Sequence, residues 1–102
     1  MAQEPTDAAI LAARVSVPEH VVHRAFPEET IVLNLRSGMY HGLNATAGRM
    51  LDAMETDVTV GEAADRLAEE LGVPPVTVRQ DIVDLCRLLL ERDLIQLREP
   101  ED

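Results

Sequence analysis

The chain is 102 residues long, 46% hydrophobic but only 2% aromatic, and carries a formal net charge of −10. That length fits one domain, and its core must be aliphatic because Phe26 and Tyr40 are the two aromatic residues. The acidic balance argues against a protein whose main task is gripping a phosphate backbone, and suits a neutral or basic partner.

A lone cysteine, Cys86, excludes an internal disulfide. The apolar stretch Ala8–Ala13 has no basic segment before it and is too short for a secretory signal. No run approaches the length of a membrane span, so no membrane role is expected and the cytoplasm is the default compartment. Residues 1–14 read as a flexible lead-in, 15–97 as the domain, and 98–102 as an acidic tail.

The first predicted strand covers Val15–Arg24, where Val15, Val17, Val21 and Val22 are β-branched and Pro18 makes the start irregular. Phe26-Pro-Glu-Glu29 then turns the chain into a hairpin. Ile31, Leu33 and Leu35 alternate with Thr30, Val32 and Asn34, the period of a strand with one buried face. Arg36-Ser-Gly38 supplies the turn, with Gly38 free to take positive φ. The returning strand, Met39–Leu43, holds Gly42 in its middle, which suggests a bulge or a close backbone approach.

Three helices follow. Asn44 is placed to cap a helix over Ala45–Glu55, whose Ala47, Met50, Leu51 and Met54 share a face. Thr59-Val-Gly-Glu62 is a capping box opening a second helix, with the apolar stripe Val60, Ala63, Ala64, Leu67, Ala68 and Leu71, and Gly72 at its stop. Pro74-Pro75 opens a third helix running to about Arg92. Its core stripe is Val78, Ile82, Leu85 and Leu89, but Val83, Cys86 and Leu90 widen it on one side and Leu88 on the other. Such a wide arc needs a second partner: the sheet, a subunit or a bound peptide. Leu94, Ile95 and Leu97 close the domain in extended form.

The fold class this implies is α+β and winged helix-turn-helix-like, a three-stranded antiparallel N-terminal sheet packed on three helices. In a DNA-binding version the start of the third helix would read bases, yet Thr77, Arg79 and Gln80 sit beside Asp81 and Asp84. A winged-helix transcriptional regulator is therefore the alternative reading, and no nucleic-acid partner is expected. Catalysis is not expected either. His20, His23 and His41 lack carboxylates at a recognisable spacing, and residues three apart on a strand point to opposite faces. No metal site, cofactor or phosphate loop is foreseen.

Leu33-Asn-Leu-Arg-Ser-Gly-Met-Tyr40, Gly42-Leu-Asn-Ala-Thr-Ala-Gly48 and Val78-Arg-Gln-Asp81, leading through Leu85, Leu89 and Leu94-Ile95, resemble the PqqD-like proteins. These are recognition elements of ribosomally made, post-translationally modified peptide pathways. The likeness spans about Val17–Leu97 and is greatest to the stand-alone recognition protein of lasso peptide clusters. It implies a non-catalytic adaptor that binds the leader segment of a precursor peptide as an added strand, and serves a separate leader peptidase or cyclase. It also implies a binding site on the third strand, Met39, Tyr40, His41, Gly42 and Leu43, and on the third helix, Arg79, Asp81, Ile82, Leu85 and Cys86. A pyrroloquinoline quinone pathway is the less close match.

Overall fold

The structure, a computed structural model, describes residues 4–57 and 59–99. The chain runs α1 (Asp7–Ala12), β1 (Arg14–Ser16), β2 (Val21–Ala25), β3 (Glu29–Asn34), β4 (Tyr40–Asn44), α2 (Ala45–Thr56), α3 (Val60–Leu71), α4 (Pro75–Glu91) and β5 (Gln96–Arg98). It is an α+β domain in which β2, β3 and β4 form an antiparallel sheet in that order.

Local chemistry explains the helix starts and stops. The Asn44 side chain accepts from the Ala47 N–H at 2.8 Å, and the Thr59 hydroxyl accepts from the Glu62 N–H at 3.1 Å. Each satisfies a first-turn donor that has no partner inside its helix. Gly72 takes φ +66 and ends α3 in the left-handed conformation open to glycine. Pro75 stands at the first position of α4, where a missing N–H costs nothing.

Within the expected lead-in, residues 4–14 hold the short helix α1, while residues 1–3 and, in the expected tail, 100–102 lie outside the described residues. Thr6 caps α1 by accepting from the Ala9 N–H, and Ile10 is 0% exposed in the hydrophobic core. This short helix packs on α3 and α4, and Arg87 of α4 holds its start through the Pro5 carbonyl and the Asp7 carboxylate. Six residues are too few to show a period, which is why the helix was not legible. The arc of α4 that called for a second partner is largely absorbed inside the chain: Val83 is 1% exposed and Cys86 0%.

The predicted strand Val15–Arg24 is two strands in two sheets. Pro18 ends the first, and β1 pairs with β5 (Val15 opposite Leu97), bringing the two ends of the domain together. The helix count is four and the strand count five among the described residues, against three and three expected.

The hairpin sits where the alternation put it, with the other face inward. Thr30, Val32 and Asn34 are buried, whereas Ile31 and Leu33 are half-buried and Leu35 is exposed. Two local demands explain the inversion. A Cβ on Gly48 would collide with Thr30 Oγ1, so that glycine lets α2 settle directly on β3. Asn34 Oδ1 accepts from the Arg36 and Ser37 N–H groups at 2.9 and 3.2 Å, and so closes the turn from below. Gly38 takes φ +74 in that turn. The register from Glu29–Asn44 to Leu33–Tyr40 is unbroken, so Gly42 marks no bulge.

Candidate functional site

β4 is an edge strand, and its hydrogen-bond phase can be read from the turn. The Asn34 N–H donates to the Met39 carbonyl at 2.9 Å, which makes that pair a bonded one. Bonded and non-bonded pairs alternate along an antiparallel ladder. His41 and Leu43 therefore direct their backbone groups to β3, through the pairs Val32–His41 and Thr30–Leu43. Tyr40 and Gly42 direct theirs outward, to the open side of the sheet.

Facing this open edge is the C-terminal half of α4. A groove of about 290 Å³ separates them, lined by Tyr40–Leu43 on the strand side and by Leu88, Leu89, Arg92 and Leu94 on the other. The turn after α4 shapes its far end. Leu94 N–H donates to the Leu89 carbonyl and Asp93 N–H to the Leu90 carbonyl, the pattern that closes a helix through one left-handed residue. That residue is Asp93, at φ +58. His20 Nε2 lies 3.1 Å from its carbonyl and 3.0 Å from its carboxylate, which holds this unusual position. Arg92 is thereby turned toward β4, where its Nη1 donates to His41 Nδ1 at 2.6 Å.

The sequence-derived helix positions divide. Asp81 is exposed and Leu85 is 9% exposed, and helical period puts both on one face with Leu88 and Arg92, at i, i+4, i+7 and i+11. Ile82 and Cys86 do not belong to the site, because both are 0% exposed in the core. Cys86 Sγ lies 3.3 Å from Met54 Sδ, and burial pushes its thiol up to about 12, so it stays protonated and inert. Arg79 points to α3, where Asp65 accepts two bonds from its guanidinium at 2.9 and 2.7 Å. That pairing holds the Asp65 carboxyl below its ordinary range. On the strand, Met39 belongs to the turn, with its N–H on Ser37 Oγ, and Leu43 is buried with its side chain toward the helices. Tyr40, 69% exposed, stands on the outer face with Gly42.

Leu88 and Arg92 line the groove but were not among the site positions drawn from the sequence. Leu88 is 38% exposed on a helix otherwise rich in buried leucine. The period from Asp81 through Leu85 would have found both.

The family model for coenzyme PQQ synthesis protein D (PqqD) matches residues 29–95, from the first residue of β3 to just before β5. The chain belongs to the PqqD family. The PqqD match therefore spans the hairpin, α2, α3, α4 and the whole groove. Among solved structures, TbiB1 in complex with the TbiA(beta) leader peptide is similar at 29% identity and a TM-score of 0.71, covering 78% of this chain and 93% of that one. Lasso peptide synthetase B1 complexed with the leader peptide matches at 23% identity and a TM-score of 0.74, over 82% of this chain and 99% of that one, and shares the fold. No curated protein matches the sequence. Among the described residues no group of three or more His, Cys, Asp or Glu is placed to hold a metal ion, and no helix is long and apolar enough to cross a membrane.

Proposed function

We propose that this PqqD-family protein binds the leader segment of a ribosomally made precursor peptide as a fourth strand against β4, and carries out no chemistry on it. The carrying observation is the outward-directed backbone of Tyr40 and Gly42 beside a groove walled by Leu88, Leu89 and Leu94. Strand addition obtains its affinity from main-chain hydrogen bonds, while side chains that alternate toward the helix are selected by the groove. Membership of the PqqD family and likeness to a leader-bound TbiB1 support the same reading. The bound precursor would be handed to a separate maturation enzyme, in a lasso pathway a leader peptidase and then a cyclase, in the cytoplasm where the precursor is made.

A DNA-binding role has less to stand on. The face of α4 that would enter a groove carries Asp81 and Asp84, and Arg79 is already committed to Asp65.

Isothermal titration with synthetic TbiA(beta) leader peptide tests the proposal. A standard strand-sized interface predicts a dissociation constant of about micromolar or tighter. Affinity should fall only mildly with added salt, whereas contacts to several DNA phosphates would lose orders of magnitude. Amide signals of Tyr40 and Gly42 should shift on binding. Absence of heat with this leader and with the leader of the protein's own precursor, together with salt-sensitive retention on duplex DNA, would overturn the reading.

A further inference from the structure

We propose that Arg92 makes the groove a reader of charge: the strand that docks on β4 carries an acidic side chain facing α4, and its pairing with Arg92 sets the register. This rests on the strand-docking reading above and adds to it a chemical requirement on the ligand.

Arg92 stands apart from most of the chain's cations. Arg36, Arg49, Arg66, Arg79 and Arg87 each lie within 4.0 Å of a carboxylate. Arg92 donates instead to the neutral nitrogen of His41, and no carboxylate ion pair with it forms among the described residues. This holds in a chain with 19 acidic residues, one of them the adjacent Asp93, whose carboxylate is turned to His20 and Arg36. A guanidinium offers five N–H donors in a planar fork that matches a carboxylate. Donation by Nη1 to His41 holds that fork over the end of the groove and leaves most of its donors without a partner among the described residues.

The position matters as much as the charge. Main-chain pairing alone specifies register weakly, because every slip by two residues repeats the same bonds and the same facing. Helix-facing side chains of an added strand recur about every 6.8 Å. Along α4, Arg92 and Asp81 lie eleven positions apart on one face, about 16 Å, with Leu88 and Leu85 between them. That face of α4 thus runs from cation through apolar to anion, with Arg92 and Leu88 lining the groove and Asp81 beyond its lining. An acid placed over Arg92 is attracted, and the same acid slipped toward Asp81 meets a like charge in a protein of net charge −10. One register is favoured.

Panning a displayed library of random 15-residue peptides against the full-length protein tests this with no ligand assumed in advance. The wild-type protein should enrich alternating apolar sequences with Asp or Glu at one fixed helix-facing place. Arg92→Glu should enrich Lys or Arg at that place while keeping the apolar positions. A peptide selected by wild type should bind Arg92→Gln about twofold to fivefold more weakly, the upper range of a single exposed ion pair. Circular dichroism checks that both variants are folded, and Arg92→Gln keeps a donor for His41 should Arg92→Glu unfold. Apolar enrichment with no acid preference, or an acid preference that persists unchanged in both variants, overturns the charge reading and leaves strand docking standing. No enrichment by wild type overturns both.

Discussion

The sheet has two edges, and they are built differently. At the β2 edge, the ladder phase leaves Val21, His23 and Ala25 facing outward, but the Val21 N–H already donates to the Pro18 carbonyl. Pro18 and Pro27 bracket the strand, Arg24 puts a charge on it, and His23 is tied to Glu55 of α2 at 2.7 Å. Proline and charge on an edge are the means by which sheets avoid unwanted pairing. At the β4 edge, Tyr40-His-Gly-Leu-Asn44 contains no proline, lysine, arginine or carboxylate. One edge is guarded and the other is left open beside an apolar wall, which is what a protein that accepts a single strand on a chosen side requires.

Proline substitution should separate the two edges most sharply. Tyr40→Pro removes an outward N–H at the first residue of β4, where proline is tolerated, and should weaken leader binding about tenfold or more with the helical signal intact. Ala25→Pro removes the corresponding group from the β2 edge and should leave affinity within about twofold. Equal losses in titration would erase the distinction between the edges.

Changing the wall beside the open edge should have the next largest effect. Leu88→Glu replaces the part-exposed leucine of the groove wall with a charge and should cost about tenfold in affinity, with little change in melting temperature because Leu88 is already part-exposed. Phe26→Ser, on the guarded side, should leave binding unchanged. A Leu88→Glu variant of full affinity would place the wall elsewhere.

The guarded side can be strained from beneath. Gly48→Ala forces a methyl into Thr30 and should lower stability by about 1–3 kcal/mol in denaturant melts. The residual folded protein should retain its leader affinity, since β4 is paired to β3 by bonds that do not involve α2. Lost affinity in folded Gly48→Ala would show the two edges to be coupled through β3.

The smallest effects concern residues that the structure removes from the site. Arg79→Ala should leave affinity unchanged. The Cys86 thiol should resist a disulfide reagent until the chain is denatured, because burial raises it from 9.0 to about 12. A thiol raised in the folded state contributes stability that is complete below its unfolded value, so this contribution declines as pH climbs from about 9 toward 12. Rapid labelling of the native protein, read by absorbance, would put Cys86 on the groove after all.

Local signals were legible where one short stretch contained all its own partners. Asn44, Thr59 and Gly72 marked helix ends correctly because caps bond backbone groups three or four residues away. Val60, Ala63, Ala64, Leu67 and Ala68 are buried as their period foretold. The alternation in β3 located the strand but not its inward face, because Thr30 and Asn34 are buried for the sake of Gly48 and of the turn, not for their own hydrophobicity. Ile10 gave no warning of α1, since one isoleucine in an alanine-rich hexamer has no period to display.

Residue order alone was enough to specify which stretches are helical, where the hairpin turns, and the family to which residues 29–95 conform. The composition of the groove was settled by packing between distant segments. Leu88 and Arg92 come to line the groove beside β4 at a helix end closed by Asp93 in a left-handed conformation, which His20 contacts from 73 residues away. Ile82 and Cys86, which share the hydrophobic character of that wall, are withdrawn from it by packing in the core. Contacts between residues distant in the chain settle which face of a helix meets solvent, and the pattern within the helix alone does not contain them.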